Sequence, residues 1–169
     1  MERITLKSLC AALLLLGAGA GQITAQPILR LPSIIGDHMV LQENSNVKIW
    51  GWAEPNKEVL IIPSWSQDTV RTKSTGDTKW LASIQTPAAD NRTYTLTVQT
   101  QQRKIEVKDI LVGQVWLCGG QSNMNYSAAQ GITDMQEELE KPMNPSIRLF
   151  TVTRNSSPWY QDCLLYTSD

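Results

Sequence analysis

The chain has 169 residues, 41% of them hydrophobic, and 15 Lys and Arg against 16 Asp and Glu give a formal charge of −1. A balance this close to neutral offers no basic excess to attract nucleic acid. Three cysteines are too few for a disulfide framework or a cysteine-based metal site.

The first residues read as a targeting leader. Arg3 and Lys7 give a positive start and Leu9 to Ala20 an apolar core, and Ala18-Gly19-Ala20 or Ile23-Thr24-Ala25 supplies small residues for cleavage. The apolar run is shorter than the roughly 20 residues that span a bilayer, so a signal peptide over 1–25 is expected rather than a retained anchor. Cys10 falls at the start of the apolar core and belongs to the leader. Export to a periplasmic or extracellular space follows from this reading. Removing Glu2, Arg3 and Lys7 takes a net +1 from the formal −1 and leaves −2. Two cysteines remain, Cys118 and Cys163, either as a bridge or as two separate thiols.

From 26 to 107 short β-branched and aromatic segments recur between turn signals. They are Val47–Ala53, Glu58–Ile62, Asp68–Lys73, Trp80–Gln85, Tyr94–Gln99 and Lys104–Val107. Trp80, Ala82 and Ile84 alternate onto one face, as do Tyr94, Leu96 and Val98, and the pattern predicts a small antiparallel β-sandwich. Glu54-Pro55-Asn56, Ser74-Thr75-Gly76-Asp77 and Ala89-Asp90-Asn91 mark its reversals. Trp50 and Trp52 share one face of a strand. With Trp65 they suit either a buried core or a sugar-binding platform, and the core reading expects the face of Trp50 and Trp52 to be buried. His38, the one histidine, falls in Gly36-Asp37-His38 and reads as a hairpin-turn residue.

A second domain is expected from 108 to 169. Val115-Trp116-Leu117 is a continuous apolar run, the pattern of a strand covered on both faces in a parallel sheet. Gly119-Gly120 ends it and would leave Ser122 just beyond the strand's carboxyl end, where a serine hydroxyl can act as nucleophile with backbone N–H groups facing an oxyanion. Gly-Gly-Gln-Ser-Asn is equally good turn chemistry. It is not the Gly-x-Ser-x-Gly elbow, because Met124 stands at the second glycine's position. A capping pattern from Thr133 to Gln136 predicts a helix over Asp134–Glu140, and Ile147–Val152 reads as the following strand, opening a βαβ unit. Glu137, Glu138 and Glu140 read as a solvated helix face. Asn91, Asn125 and Asn155 head formal glycosylation sequons.

Gly-Gln-Ser-Asn-Met after Val-Trp-Leu-Cys resembles the nucleophile block of the sialate O-acetylesterase family, within the SGNH hydrolase superfamily. Leu31–Gln42, Val47–Glu54, Tyr94–Val98, Lys108–Gly113 and Ile147–Val152 resemble that family in the same order, so the likeness runs from about residue 30 to about 162. It implies a β-sandwich followed by the start of an SGNH-type α/β hydrolase domain. The implied nucleophile is Ser122, with Gln121 and Asn123 shaping the turn or touching substrate, and no metal or cofactor. It further implies a secreted enzyme removing O-acetyl groups from sialic acids, with an acetyl xylan or other polysaccharide esterase as one alternative and a non-catalytic carbohydrate-binding module as another. The family's Asp-x-x-His block and the glycine and asparagine of its oxyanion hole have no counterpart here. Leu164–Asp169 departs from the family pattern. The chain is therefore expected to be an incomplete, inactive fragment with a poorly packed C-terminal third.

Overall fold

The computed structural model describes residues 27–120, 124, 126, 136–142 and 144–152. Eight strands form in chain order: β1 (Leu29–Arg30), β2 (Val40–Gln42), β3 (Asn46–Ala53), β4 (Glu58–Pro63), β5 (Val70–Lys73), β6 (Lys79–Gln85), β7 (Tyr94–Gln99) and β8 (Lys104–Gly113). They make a three-stranded sheet ordered β1-β3-β6 and a five-stranded sheet ordered β2-β8-β7-β4-β5. All pairs are antiparallel except β2 and β8, which run parallel. One turn of helix, α1 (Gln136–Leu139), is the helix of the described residues.

Alternation along the strands explains why the two sheets close on each other. β6 buries Trp80, Ala82 and Ile84 and exposes the residues between them. β3 buries Ile49, Gly51 and Ala53, β4 buries Val59 and Ile61, and β7 buries Leu96 and Val98. A period of two sends every second side chain to one face, and here the inner faces of both sheets meet in a single apolar cluster. Gly51 fits this interior because β1 and the Trp80 indole both approach it. A Cβ at that position would run into the Arg30 carbonyl and lie 2.9 Å from Trp80 Cζ2.

The tryptophan expectation is corrected by the same alternation. The buried face of β3 is that of Ile49, Gly51 and Ala53, so Trp50 and Trp52 stand on the opposite face and are half-buried, with Trp50 packed against the apolar cluster. Trp65 is structural: its Nε1–H donates to the Gln85 carbonyl at 2.8 Å, and its ring meets Tyr94 edge-on at 5.6 Å.

Buried hydroxyls tie the turns to the sheets. Thr86 Oγ1 accepts from the Ser45 N–H at 3.0 Å and donates to the Gln42 carbonyl at 2.6 Å, joining the β2–β3 turn to the end of β6. Ser74 Oγ accepts from the Lys57 N–H at 2.9 Å and donates to the Glu54 carbonyl, holding the β3–β4 turn against the end of β5. Each turn leaves backbone groups that the strands cannot satisfy, and a short hydroxyl side chain reaches them.

An irregularity in β8 sets the direction of Asp109. Tyr94 pairs with Ile110 and Leu96 with Val107, so two steps along β7 answer three along β8. This is a β-bulge, and Asp109 at its centre has φ 53°, a left-handed conformation that aspartate tolerates better than most side chains. The extra residue restores Ile110 and Val112 to the buried face after Val107. β8 therefore runs unbroken through Lys108–Asp109 to Gly113, past the boundary expected near residue 107.

Candidate functional site

The approach to the predicted nucleophile starts where β8 stops. The Gly113 carbonyl accepts from the Glu43 N–H at 2.8 Å, and the Val115 N–H donates to Gln42 Oε1 at 2.9 Å. From Gln114 to Gly120 the backbone is irregular. Val115, Trp116 and Leu117 are 53%, 80% and 99% exposed, so the expected buried strand over 114–118 is not formed. A strand of this composition needs a ladder partner and cover on both faces, and among the described residues nothing provides either. A Cβ on Gly120 would lie 2.7 Å from Met124 Cγ, which shows Met124 folded over Gly120. Ser122, Gln121 and Asn123, the predicted site residues between them, lie outside the described residues.

The βαβ continuation is corrected in the same way. α1 covers Gln136–Leu139, shorter than the predicted helix, and 147–152 is irregular with Leu149 89% exposed. The described residues therefore hold the sandwich and no α/β layer. Glu137 and Glu140 are exposed, in keeping with a solvated face.

A polar cluster unannounced by the sequence forms beside the bulge. The left-handed turn at Asp109 aims its carboxylate away from the core. Its Oδ2 lies 2.5 Å from His38 Nδ1, and its Oδ1 accepts from Arg148 Nη2 at 2.9 Å. Arg148 Nη1 also donates to the Asp109 and Met39 carbonyls. His38 itself has φ 65° in the turn before β2, where the Asp37 carboxylate accepts from the Lys108 N–H at 2.7 Å. That turn leads into a parallel partner of β8, so it is not a hairpin. The His38 contact first, and then Arg148, hold the Asp109 carboxyl below its ordinary value of 3.8. A histidine on a carboxylate is how a general base is oriented. Here Arg148 grips the same carboxylate from its other oxygen, and the arrangement works as a clamp joining the turn before β2, the bulge and segment 144–152. Two signals could have revealed it: an aspartate breaking the apolar alternation of β8, and a lone arginine inside Ile-Arg-Leu-Phe.

Cys118 is an exposed thiol and Cys163 lies outside the described residues. Among the described residues no group of three or more His, Cys, Asp or Glu is placed to hold a metal ion, and no helix is long and apolar enough to cross a membrane.

No family model matches the sequence. Individual proteins do. A sialate O-acetylesterase from Mus musculus is 31% identical over 133 residues, 73% of this chain and 24% of that protein. One from Rattus norvegicus is 30% identical over 146 residues, 81% of this chain and 26% of that protein. Among solved structures, a carbohydrate acetylesterase from Xanthomonas citri matches with a TM-score of 0.53 and 33% identity, over 59% of this chain and 22% of that one. The chain thus spans about a quarter of the length of the curated relatives it matches.

Proposed function

We propose that this chain, which is similar to sialate O-acetylesterases over about a quarter of their length, is the sandwich-bearing part of an exported serine esterase that removes acetyl groups from a glycan. The observation that carries this reading is the agreement of the two kinds of relative: sequence and structure neighbours are both acetylesterases, at 31% and 33% identity. The sandwich is the scaffold. β8 delivers the chain at Gly113 to the Gly-Gly-Gln-Ser-Asn-Met block, and the His38–Asp109–Arg148 clamp fixes the direction in which it leaves.

In this reading Ser122 Oγ attacks the acetyl carbonyl carbon while a base takes its proton. The Ser122 N–H donates to the oxyanion, the sugar hydroxyl leaves with a proton, and water then releases acetate from the acyl-serine. A serine hydroxyl is a weak nucleophile without that base. The family resemblance places the base in an Asp-x-x-His block, and the one histidine of this sequence is His38, already engaged by Asp109. The 169-residue chain by itself is therefore expected to release no acetate with turnover. O-acetylated sialic acid is the first substrate to test. Acetylated xylan is the second, favoured by the broader activity named for the Xanthomonas citri neighbour.

The test is acetate release from both substrates by a full-length protein that carries this segment. Ser122→Ala should abolish release and leave the unfolding midpoint unchanged, whereas His38→Ala should leave the rate within about two-fold, since it acts only on a surface clamp. Turnover by the 169-residue chain that disappears in His38→Ala would identify His38 as the base and sink this assignment.

A further inference from the structure

The parallel ladder between β2 and β8 is extended by one hydrogen bond that the two backbones do not make. The register pairs Val40 with Leu111 and Gln42 with Gly113. Along it the Leu111 N–H donates to the Met39 carbonyl at 3.1 Å, and the Gly113 carbonyl accepts from the Glu43 N–H at 2.8 Å. In a parallel pair such bonds recur evenly, every second residue on each strand, so the next donor on the β8 side is the Val115 N–H and its ladder acceptor would be the Glu43 carbonyl. By then β2 has ended. Glu43 and Asn44 form a turn, with Asn44 at φ 48° and its N–H donating to the Pro87 carbonyl at 3.0 Å. Gln42 supplies the acceptor from its side chain instead, and its Oε1 takes the Val115 N–H at 2.9 Å. The backbone of Gln42 is itself held, because its carbonyl accepts at 2.6 Å from Oγ1 of Thr86, a residue only 2% exposed.

We infer that Gln42 is a positioning residue for the esterase reaction, its amide oxygen fixing the point from which the chain runs to the nucleophile. The inference rests on the reading of Ser122 as that nucleophile, seven residues beyond Val115. Among the described residues, the Gln42–Val115 bond ties the approach to the sandwich once β8 has ended. What it fixes is register. A strand that slips by one residue turns every side chain to the opposite face, so a pinned Val115 N–H decides which sides Val115, Trp116 and Leu117 present to whatever covers them. The same pin sets where Gly119-Gly120 turns the chain. A displacement of about 1 Å at a reacting atom costs about 10²-fold in rate. Gln42 bonds to Val115 and not to a sugar, so its effect belongs to turnover rather than to substrate binding.

Two substitutions separate the amide oxygen from the bulk of the side chain. Gln42→Met keeps the length and removes the strong acceptor, whereas Gln42→Glu keeps an acceptor oxygen at the same reach. In the 169-residue chain, amide exchange at Val115 should quicken about ten-fold in Gln42→Met and stay near the parent rate in Gln42→Glu. The Glu43 amide, bonded to Gly113, should stay protected in both and so report that the sheet has formed. In a full-length protein that carries this segment, Gln42→Met should lower kcat for acetate release about ten-fold with KM within about two-fold, and Gln42→Glu should recover most of the loss. A role in packing alone would give the reverse order, since methionine fills the place of glutamine better than a second carboxylate beside Glu43 does, and that order would overturn the inference. Unchanged Val115 exchange in Gln42→Met would overturn it as well. Parent-like turnover in Gln42→Met with Ser122→Ala inactive would refute the role of Gln42 and leave the esterase reading standing, whereas acetate release by Ser122→Ala would sink that reading and this inference with it.

Discussion

Two apolar patterns in this chain meet opposite fates. In the sandwich, Leu96, Val98, Val59 and Ile61 alternate with less buried residues and are themselves wholly buried. Past Gly113, Val115-Trp116-Leu117 and Leu149-Phe150 are just as apolar, run without alternation, and are exposed. The difference lies in where the cover comes from. An alternating strand needs one buried face, and a neighbouring hairpin brings it from nearby in the chain. A continuously apolar strand needs cover on both faces from crossover helices and further strands. Among the described residues beyond Gly120, the regular structure is one turn of helix. Composition alone does not bury a side chain.

That contrast can be broken at single residues. Leu96→Ala should cost about 2–5 kcal/mol, because a cavity opens inside a packed cluster, whereas Leu117→Ala, chemically the same change, should stay within about 0.5 kcal/mol because the side chain is already in solvent. Urea unfolding of the two variants side by side measures this. Comparable losses would mean that Leu117 is packed in solution and that the apolar segment has found cover.

A smaller loss is expected where β1 and Trp80 close on Gly51. Gly51→Ala reduces the freedom of the unfolded chain but forces its methyl against the Arg30 carbonyl and the Trp80 indole, and overpacking of this kind costs about 1–3 kcal/mol. The thermal midpoint should drop, and a rise would show that the sheet can breathe at this point. Thr86→Val should fall in the lower part of the same range. It keeps the shape and leaves the Ser45 N–H and Gln42 carbonyl without their buried partner, a cost of about 1–3 kcal/mol. Amide exchange at Ser45 should accelerate in that variant, which a general loosening of the sheet would not confine to one turn.

The sandwich is legible in the sequence because its signals are local. Period-two alternation locates β3, β4, β6 and β7 to within a residue or so, and the turn residues between them mark the reversals. Two short strands escape it. β1 and β2, two and three residues long, are held in place by partners distant in the chain, such as Ala53 for Leu29 and Leu111 for Val40. The face of Trp50 and Trp52 is undecided by alternation, which says that two residues share a side without saying which side is buried. Gly51 decides it, and its reason for being glycine is a contact with β1 that no window of sequence displays. The bulge at Asp109 reads as a domain boundary because a skipped beat in alternation looks the same as an ending. Ser122, Gln121 and Asn123 are legible only through family resemblance and lie outside the described residues.

The smallest expected effect concerns the clamp that joins the two regions. Asp109 has its carboxyl pKa lowered from 3.8, by His38 first and Arg148 second. A depressed carboxylate pKa contributes stability that is fully present above the unfolded value and disappears as pH falls through the folded value. The clamp's share should therefore hold at about pH 5 and above, and be lost only on acidification below about 3.8. Asp109→Asn tests it cleanly, because asparagine also tolerates the left-handed conformation and so preserves the bulge while removing the charge. The variant should unfold at lower urea than the parent at about pH 6, and the two midpoints should converge as pH drops below the carboxylate range. Exposure of the His38 ring and of Asp109 lets salt screen part of the interaction, so the gap should narrow further in about 1 M salt. A gap that persisted unchanged into acid would assign the role of Asp109 to its backbone conformation, and leave Arg148 bound to segment 39–109 through the two carbonyls alone.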